Sequence, residues 1–121
     1  MTLPPAALEH FRAAVGAGTL DPGSGVGEGR AGAPEAAAEV VLTVRVEAGR
    51  VAEVGWECFG GPAPIAALSW LAQRLPGESV TSARAWRGPA LLEALALPAR
   101  ERTALLLVED ALLQALDAAG H

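Results

Sequence analysis

Few side chains in this chain are equipped for chemistry. It has one cysteine, Cys58, and two histidines, His10 and His121. A lone cysteine leaves no intramolecular disulfide possible. His10 has no second metal-binding side chain three or four residues away, so it reads as a solvated or helix-packing residue. His121 is the last residue and is expected to fray. Cys58 alternates with Val54 and Trp56, and on such a strand face a free thiol behaves as a small buried apolar residue rather than a metal ligand. Glu109 breaks its local pattern. At about 100° per residue it falls inside an apolar stripe, among Leu105, Leu112, Leu113 and Leu116. A carboxylate there needs an arginine or backbone N–H groups as partners, and no companion group supports a general acid. Gly60-Gly61-Pro62 stands before a helix start, where an anion could bind. No phosphate-loop lysine accompanies it, so a turn is the preferred reading. No nucleophile elbow, P-loop or paired-carboxylate pattern is present, and the chain is not expected to be an enzyme.

The formal charge is −5, and all nine basic residues other than histidine are arginines. An acidic chain without a basic patch is ill suited to a nucleic-acid groove, which must neutralise phosphates. It suits a protein that docks onto other proteins. No apolar run approaches the roughly 18 residues needed to span a bilayer. The N-terminus lacks the basic-then-apolar order of a signal peptide, so a cytoplasmic address is the expectation. With 121 residues, 51% of them hydrophobic, residues 1–121 are expected to form a single domain with a full core.

The elements that must position these groups follow from periodicity. Leu8, Phe11 and Val15 have helical spacing, which predicts a short amphipathic helix within 4–15. Seven glycines between Gly16 and Gly32 predict a loop with one edge strand near 26–32. Val40, Leu42, Val44 and Val46 alternate with Val41, Thr43, Arg45 and Glu47, a strand with one buried face. Ala48-Gly49 is a tight turn, and the return strand places Ala52, Val54, Trp56 and Cys58 on the inner face. After Gly60-Gly61, Pro62 and Pro64 fit a first helical turn. Ile65, Leu68, Leu71, Ala72 and Leu75 then share a face up to Pro76-Gly77. Trp70 falls on the opposite side, either against the C-terminal helix or at a docking surface. A short helix covers 89–97. A last helix over 99–118 is apolar nearly all round and is therefore packed on more than one side. Sheet first and helices after predicts an α+β fold, a small antiparallel sheet of about three strands with the helices on one face.

Three stretches are similar to motifs of a known family. They are Gly32-Ala33-Pro34-Glu35-Ala36-Ala37-Ala38, Phe59-Gly60-Gly61-Pro62-Ala63-Pro64-Ile65-Ala66, and Leu97-Pro98-Ala99-Arg100-Glu101-Arg102-Thr103-Ala104 with Val108-Glu109-Asp110-Ala111. They resemble GAPACGD, YGCGSAIA and LPPVKIHC…AEDA of the IscU/NifU N-terminal family of iron-sulfur cluster scaffolds. His10-Phe11 followed by Gly18 resembles that family's early HFxNPRNxG, with the NPRN replaced. The order is collinear and the spacing between the first two motifs unbroken. The resemblance implies a SufE/NifU (IscU)-like fold.

Each of the three family motifs carries one cluster-ligating cysteine. Here those positions are Ala36, Gly61 and Ala104, the histidine position is Thr103, and the aspartate position is Ala38. The family cofactor would be an iron-sulfur cluster, but none is expected here, because clusters need soft, deprotonated donors that alanine and glycine lack. The resemblance implies a scaffold-like protein of that pathway, acting through contacts with a cysteine desulfurase or another assembly factor as a modulator or adaptor. The alternative is a binding module repurposed outside iron-sulfur metabolism. The family's LPPVK segment, recognised by a heat-shock chaperone, keeps only its Leu-Pro here.

Overall fold

The computed structural model describes residues 3–34 and 37–120. The order is α1 (Pro5–Ala13), β1 (Val26–Ala33), β2 (Ala38–Glu47), β3 (Arg50–Phe59), α2 (Pro62–Arg74), α3 (Val80–Ala83), α4 (Gly88–Ala94), a 3-10 turn (Ala99–Glu101) and α5 (Arg102–Ala118). The three strands form one antiparallel sheet in the order β1-β2-β3, with the expected edge strand as β1. The last helix begins three residues later than periodicity suggests, since residues 99–101 wind more tightly. Alone among the helices, the single-turn α3 gave no periodic signal in the sequence.

The β2–β3 hairpin turns through Ala48 and Gly49, both at positive φ (52° and 74°), which matches the right-handed twist of the strands. One residue of β3 breaks the predicted alternation. Arg45 pairs with Glu53 but Val46 pairs with Val51, so Ala52 is the extra residue of a bulge. Val51 rather than Ala52 is therefore fully buried beside Val46.

The inner face of the sheet carries Val40, Leu42, Val44, Val54 and Trp56, all buried. α5 lies across β1 and β2, α2 across β3, and α1 against α2. On β1 the residues facing α5 are Gly27 and Gly29. A Cβ on either would collide with α5 backbone, at Ala115 and Ala111 respectively. The missing side chains thus let the helix rest directly on the strand. Leu105, Val108, Leu112 and Leu116 of α5 are buried, at about 1.5–3 kcal/mol of hydrophobic stabilisation each.

The outer face is not uniformly solvated. The chain after α1 runs along the free edge of β3, where Trp56 N–H donates to Gly16 O (3.1 Å) and Gly18 N–H donates to Trp56 O (2.7 Å). It then crosses the outer face, and Leu20 N–H donates to Thr43 Oγ1 (3.0 Å), whose hydroxyl donates to Gly55 O (2.9 Å). Thr43, expected on the solvent side, is therefore buried with its polar atoms satisfied. No helix among the described residues is long and apolar enough to cross a membrane.

Candidate functional site

Gly61 is the N-cap of α2, with φ −74° and ψ 178° and a proline after it. It is exposed, and a Cβ there would meet nothing within 4 Å. The preceding Gly60 is close-packed: its Cβ would lie 3.0 Å from that of Ala38 and 3.2 Å from the Ala38 Cα. The start of β2 and the end of β3 are thus drawn together, as the Glu39–Phe59 pairing requires. Ala104 lies in the first turn of α5, buried in the hydrophobic core, while Thr103 beside it is exposed. Ala36 and His121 lie outside the described residues. Among the described residues no group of three or more His, Cys, Asp or Glu side chains converges to hold a metal ion.

Cys58 pairs with Val40 on the inner face, as alternation requires, but it is half-buried rather than enclosed. It sits one pair from the end of the hairpin, where the inner face runs out. Burial still pushes its thiol up to about 11, so at neutral pH it carries its proton and is a poor nucleophile and ligand. His10 does not meet it. It lines a separate depression of about 300 Å³ with Trp70, Gln73 and Arg74. Its Nδ1 is buried without a hydrogen-bond partner.

Glu109 finds both kinds of partner that its burial demands. Gly88 N–H donates to Oε1 (2.7 Å) and Arg87 Nη2 donates to Oε2 (3.3 Å). The carboxylate tethers α5 to the beginning of α4, a structural role. Trp70 has a partner that helical spacing could not reveal. Its ring meets Trp86 edge-on at 4.5 Å, and the Arg74 guanidinium stands 5.8 and 5.6 Å from the two ring centroids. Trp86 lies 16 positions away in the α3–α4 connection, and no periodic pattern joins the two.

Sequence reasoning passed over Phe59. It is 82% exposed, beside an open depression of about 530 Å³ whose walls include Ala31, Ala33, Pro34 and Ala38. A signal was present: Glu53, Gly55, Glu57 and Phe59 share the outward register of β3, and only Phe59 is apolar there. Ser69 was also missed. Fully buried on α2, it accepts from Val15 N–H (2.9 Å), and the Trp56 indole donates to Val15 O (2.7 Å). These bonds fix the end of α1 over the sheet edge.

The geometry has counterparts among known proteins. The chain is 31% identical over 94 residues, 77% of its length, to the iron-sulfur cluster assembly scaffold protein IscU of Buchnera aphidicola, of which it covers 73%. Its fold matches a protein described as an iron-sulfur cluster assembly scaffold for the SUF system of Fervidobacterium islandicum, with a TM-score of 0.73 over 93% of this chain and 95% of that one at 11% identity. It also matches a nitrogen-fixing NifU-like protein (N-terminal) from Brucella abortus, with a TM-score of 0.61 over 95% and 87% at 16% identity. The model of the NifU-like N-terminal domain matches residues 4–119. On that match and the Buchnera identity, the chain belongs to the NifU-like N-terminal domain family and is related to iron-sulfur cluster assembly scaffolds.

Proposed function

We propose that this protein is a non-enzymatic, cytoplasmic, single-domain member of the iron-sulfur assembly machinery that does not itself ligate a cluster and works through protein contacts. A cluster carried as cargo needs several soft, deprotonated donors converging on one site. The observation that carries the reading is the donor set. Alanine or glycine occupies positions 36, 61 and 104, Thr103 and Ala38 stand at the neighbouring polar positions, and Cys58 is the only thiol. That thiol faces the inner side of the sheet and keeps its proton at neutral pH. The residues present do not fit a cluster of the family type.

What the chain retains is the frame, from the hairpin through the Gly61-capped helix to α5. A frame without ligands can still occupy the place of a scaffold on a cysteine desulfurase or another assembly factor, because docking needs surface shape and charge rather than thiolates. Two assays test the two halves. Anaerobic incubation of the purified chain with iron and sulfide should give no stable charge-transfer absorbance, and a persistent brown protein would refute the first half. Native affinity capture from the source organism should recover a desulfurase or assembly factor. Recovery of neither would replace the adaptor reading with a module repurposed outside iron-sulfur metabolism.

A further inference from the structure

We propose that Phe59 and the two depressions beside it form the docking surface for a protein segment that presents an apolar side chain next to a basic one. The inference rests on the adaptor reading above and names the kind of partner that would fit.

A phenylalanine 82% exposed, on a strand register otherwise given to Glu53, Gly55 and Glu57, has lost the hydrophobic stabilisation a core position would supply. Beside it the 530 Å³ depression offers Ala31, Ala33, Pro34 and Ala38, small apolar walls suited to one aliphatic side chain. On the other side a second depression of about 350 Å³ is lined by Arg30, Glu39, Val41, Glu57, Cys58 and Phe59. Arg30, Glu39 and Phe59 border both, so the two are adjacent.

Charge selects the occupant. Arg30 is held by Glu28 through a 2.8 Å ion pair on the same face. Its guanidinium is pushed up chiefly by that hydrogen bond and charge, and to a smaller degree by the fields of Glu39 and Glu57. Among the described residues, three carboxylates therefore face one cation that is already paired. A second copy of this chain would bring the same excess of negative charge against itself, which disfavours self-association here. An acidic partner is disfavoured for the same reason. A segment with an arginine or lysine flanking an aliphatic side chain satisfies both depressions at once, the apolar group beside Phe59 and the cation at Glu39 and Glu57.

The probe is a short synthetic peptide with a leucine between two arginines, compared with a matched peptide carrying glutamates in place of the arginines. Binding to the isotope-labelled full chain is followed through backbone amide shifts. The arginine peptide should shift residues 30–33, 37–39 and 57–60, and its affinity should fall as salt is raised. The glutamate peptide should bind at least about tenfold more weakly. Phe59→Ser should cost about tenfold or more, as loss of an aromatic anchor does. Its exposed position leaves the fold intact, which the remaining amide shifts verify. The double variant E39R/E57R should reverse the preference between the peptides. Absence of shifts, shifts centred elsewhere, or equal binding of both peptides would overturn the proposal. The source organism's cysteine desulfurase, titrated against native chain and Phe59→Ser, separates this inference from the reading beneath it. Equal binding to both overturns the docking surface and leaves the adaptor role standing. No desulfurase binding to either, with the peptide results as expected, removes that partner and leaves the surface.

Discussion

Replacing Gly29 by alanine tests how α5 is seated on the sheet. On intrinsic grounds the change should help, since glycine in a strand costs roughly 0.5–1 kcal/mol relative to alanine. The structure predicts the opposite sign. A Cβ on Gly29 would run into the Ala111 carbonyl oxygen, and would lie 2.8 Å from both the Ala111 carbonyl carbon and Ala115 N, where ordinary contact begins at 3.4 Å. These are backbone atoms in the middle of a helix, so no side chain can swing aside. The helix would have to lift by about 1 Å or more, and a radial gap of about 0.5–1 Å already forfeits a quarter to a half of each dispersion contact across it. Overpacking of this kind costs about 1–3 kcal/mol, and the rigid neighbour places Gly29→Ala at the upper end. Set against the intrinsic gain, the net loss is about 2 kcal/mol, a large share of the 5–15 kcal/mol typical of a domain. Urea unfolding followed by the fluorescence of Trp56, Trp70 and Trp86 reads it directly. Gly23→Ala is the control, because a Cβ there meets nothing within 4 Å, and it should move stability by less than about 0.5 kcal/mol. A Gly29→Ala midpoint at or above that of the native chain would refute the close seating of α5.

Three further outcomes follow from the same geometry. Glu109→Ala leaves the Gly88 N–H unpaired and should cost about 2–3 kcal/mol, whereas Glu109→Gln keeps an acceptor and should cost about 1 kcal/mol. The 65% exposed Arg87 side chain adds little to either, and a Glu109→Ala loss below about 1 kcal/mol in urea unfolding would contradict the tether. Cys58, raised from 9.0 to about 11, should hold about a hundredfold less thiolate at pH 8 than an unperturbed thiol, so native labelling should be correspondingly slow and denaturation should release it. Because the folded chain keeps that proton longer than the unfolded one, the contribution of Cys58 to stability should fall as pH rises through 9 toward 11; fast native labelling at pH 8 would overturn both statements. Finally, the triple variant A36C/G61C/A104C should gain charge-transfer absorbance on anaerobic reconstitution while the native chain does not. Gly61 has open space for a side chain, Ala104→Cys adds a single heavy atom, and a colourless triple variant would refute the assignment of these positions.

What was legible in the sequence was whatever is written locally. Alternation along Val40–Val46 and Val54–Cys58 encodes the hairpin because each side chain's face depends only on its parity, and Pro62 after Gly61 encodes a helix start for an equally local reason. The carboxylate of Glu109 announced its need for partners because its neighbours at helical spacing are leucines. The parts that escaped depend on groups distant in sequence. The bulge at Ala52 is a relation between two strands. Thr43 is buried by a glycine-rich segment more than 20 residues earlier, and Trp70 is matched to Trp86 by the path of a connection with no period of its own. Phe59 lies between these cases, since its register was readable but the emptiness around it was not. The site divides in the same way. The features that set the frame around it are backbone features: the Gly61 cap, the contact of Gly60 with Ala38, and the bare strand beneath α5. None of them needs a thiol. A frame held by such backbone features can therefore stand without cluster ligands. Phe59, 82% exposed beside Glu39 and Glu57, is a part of the surface that the frame itself does not require.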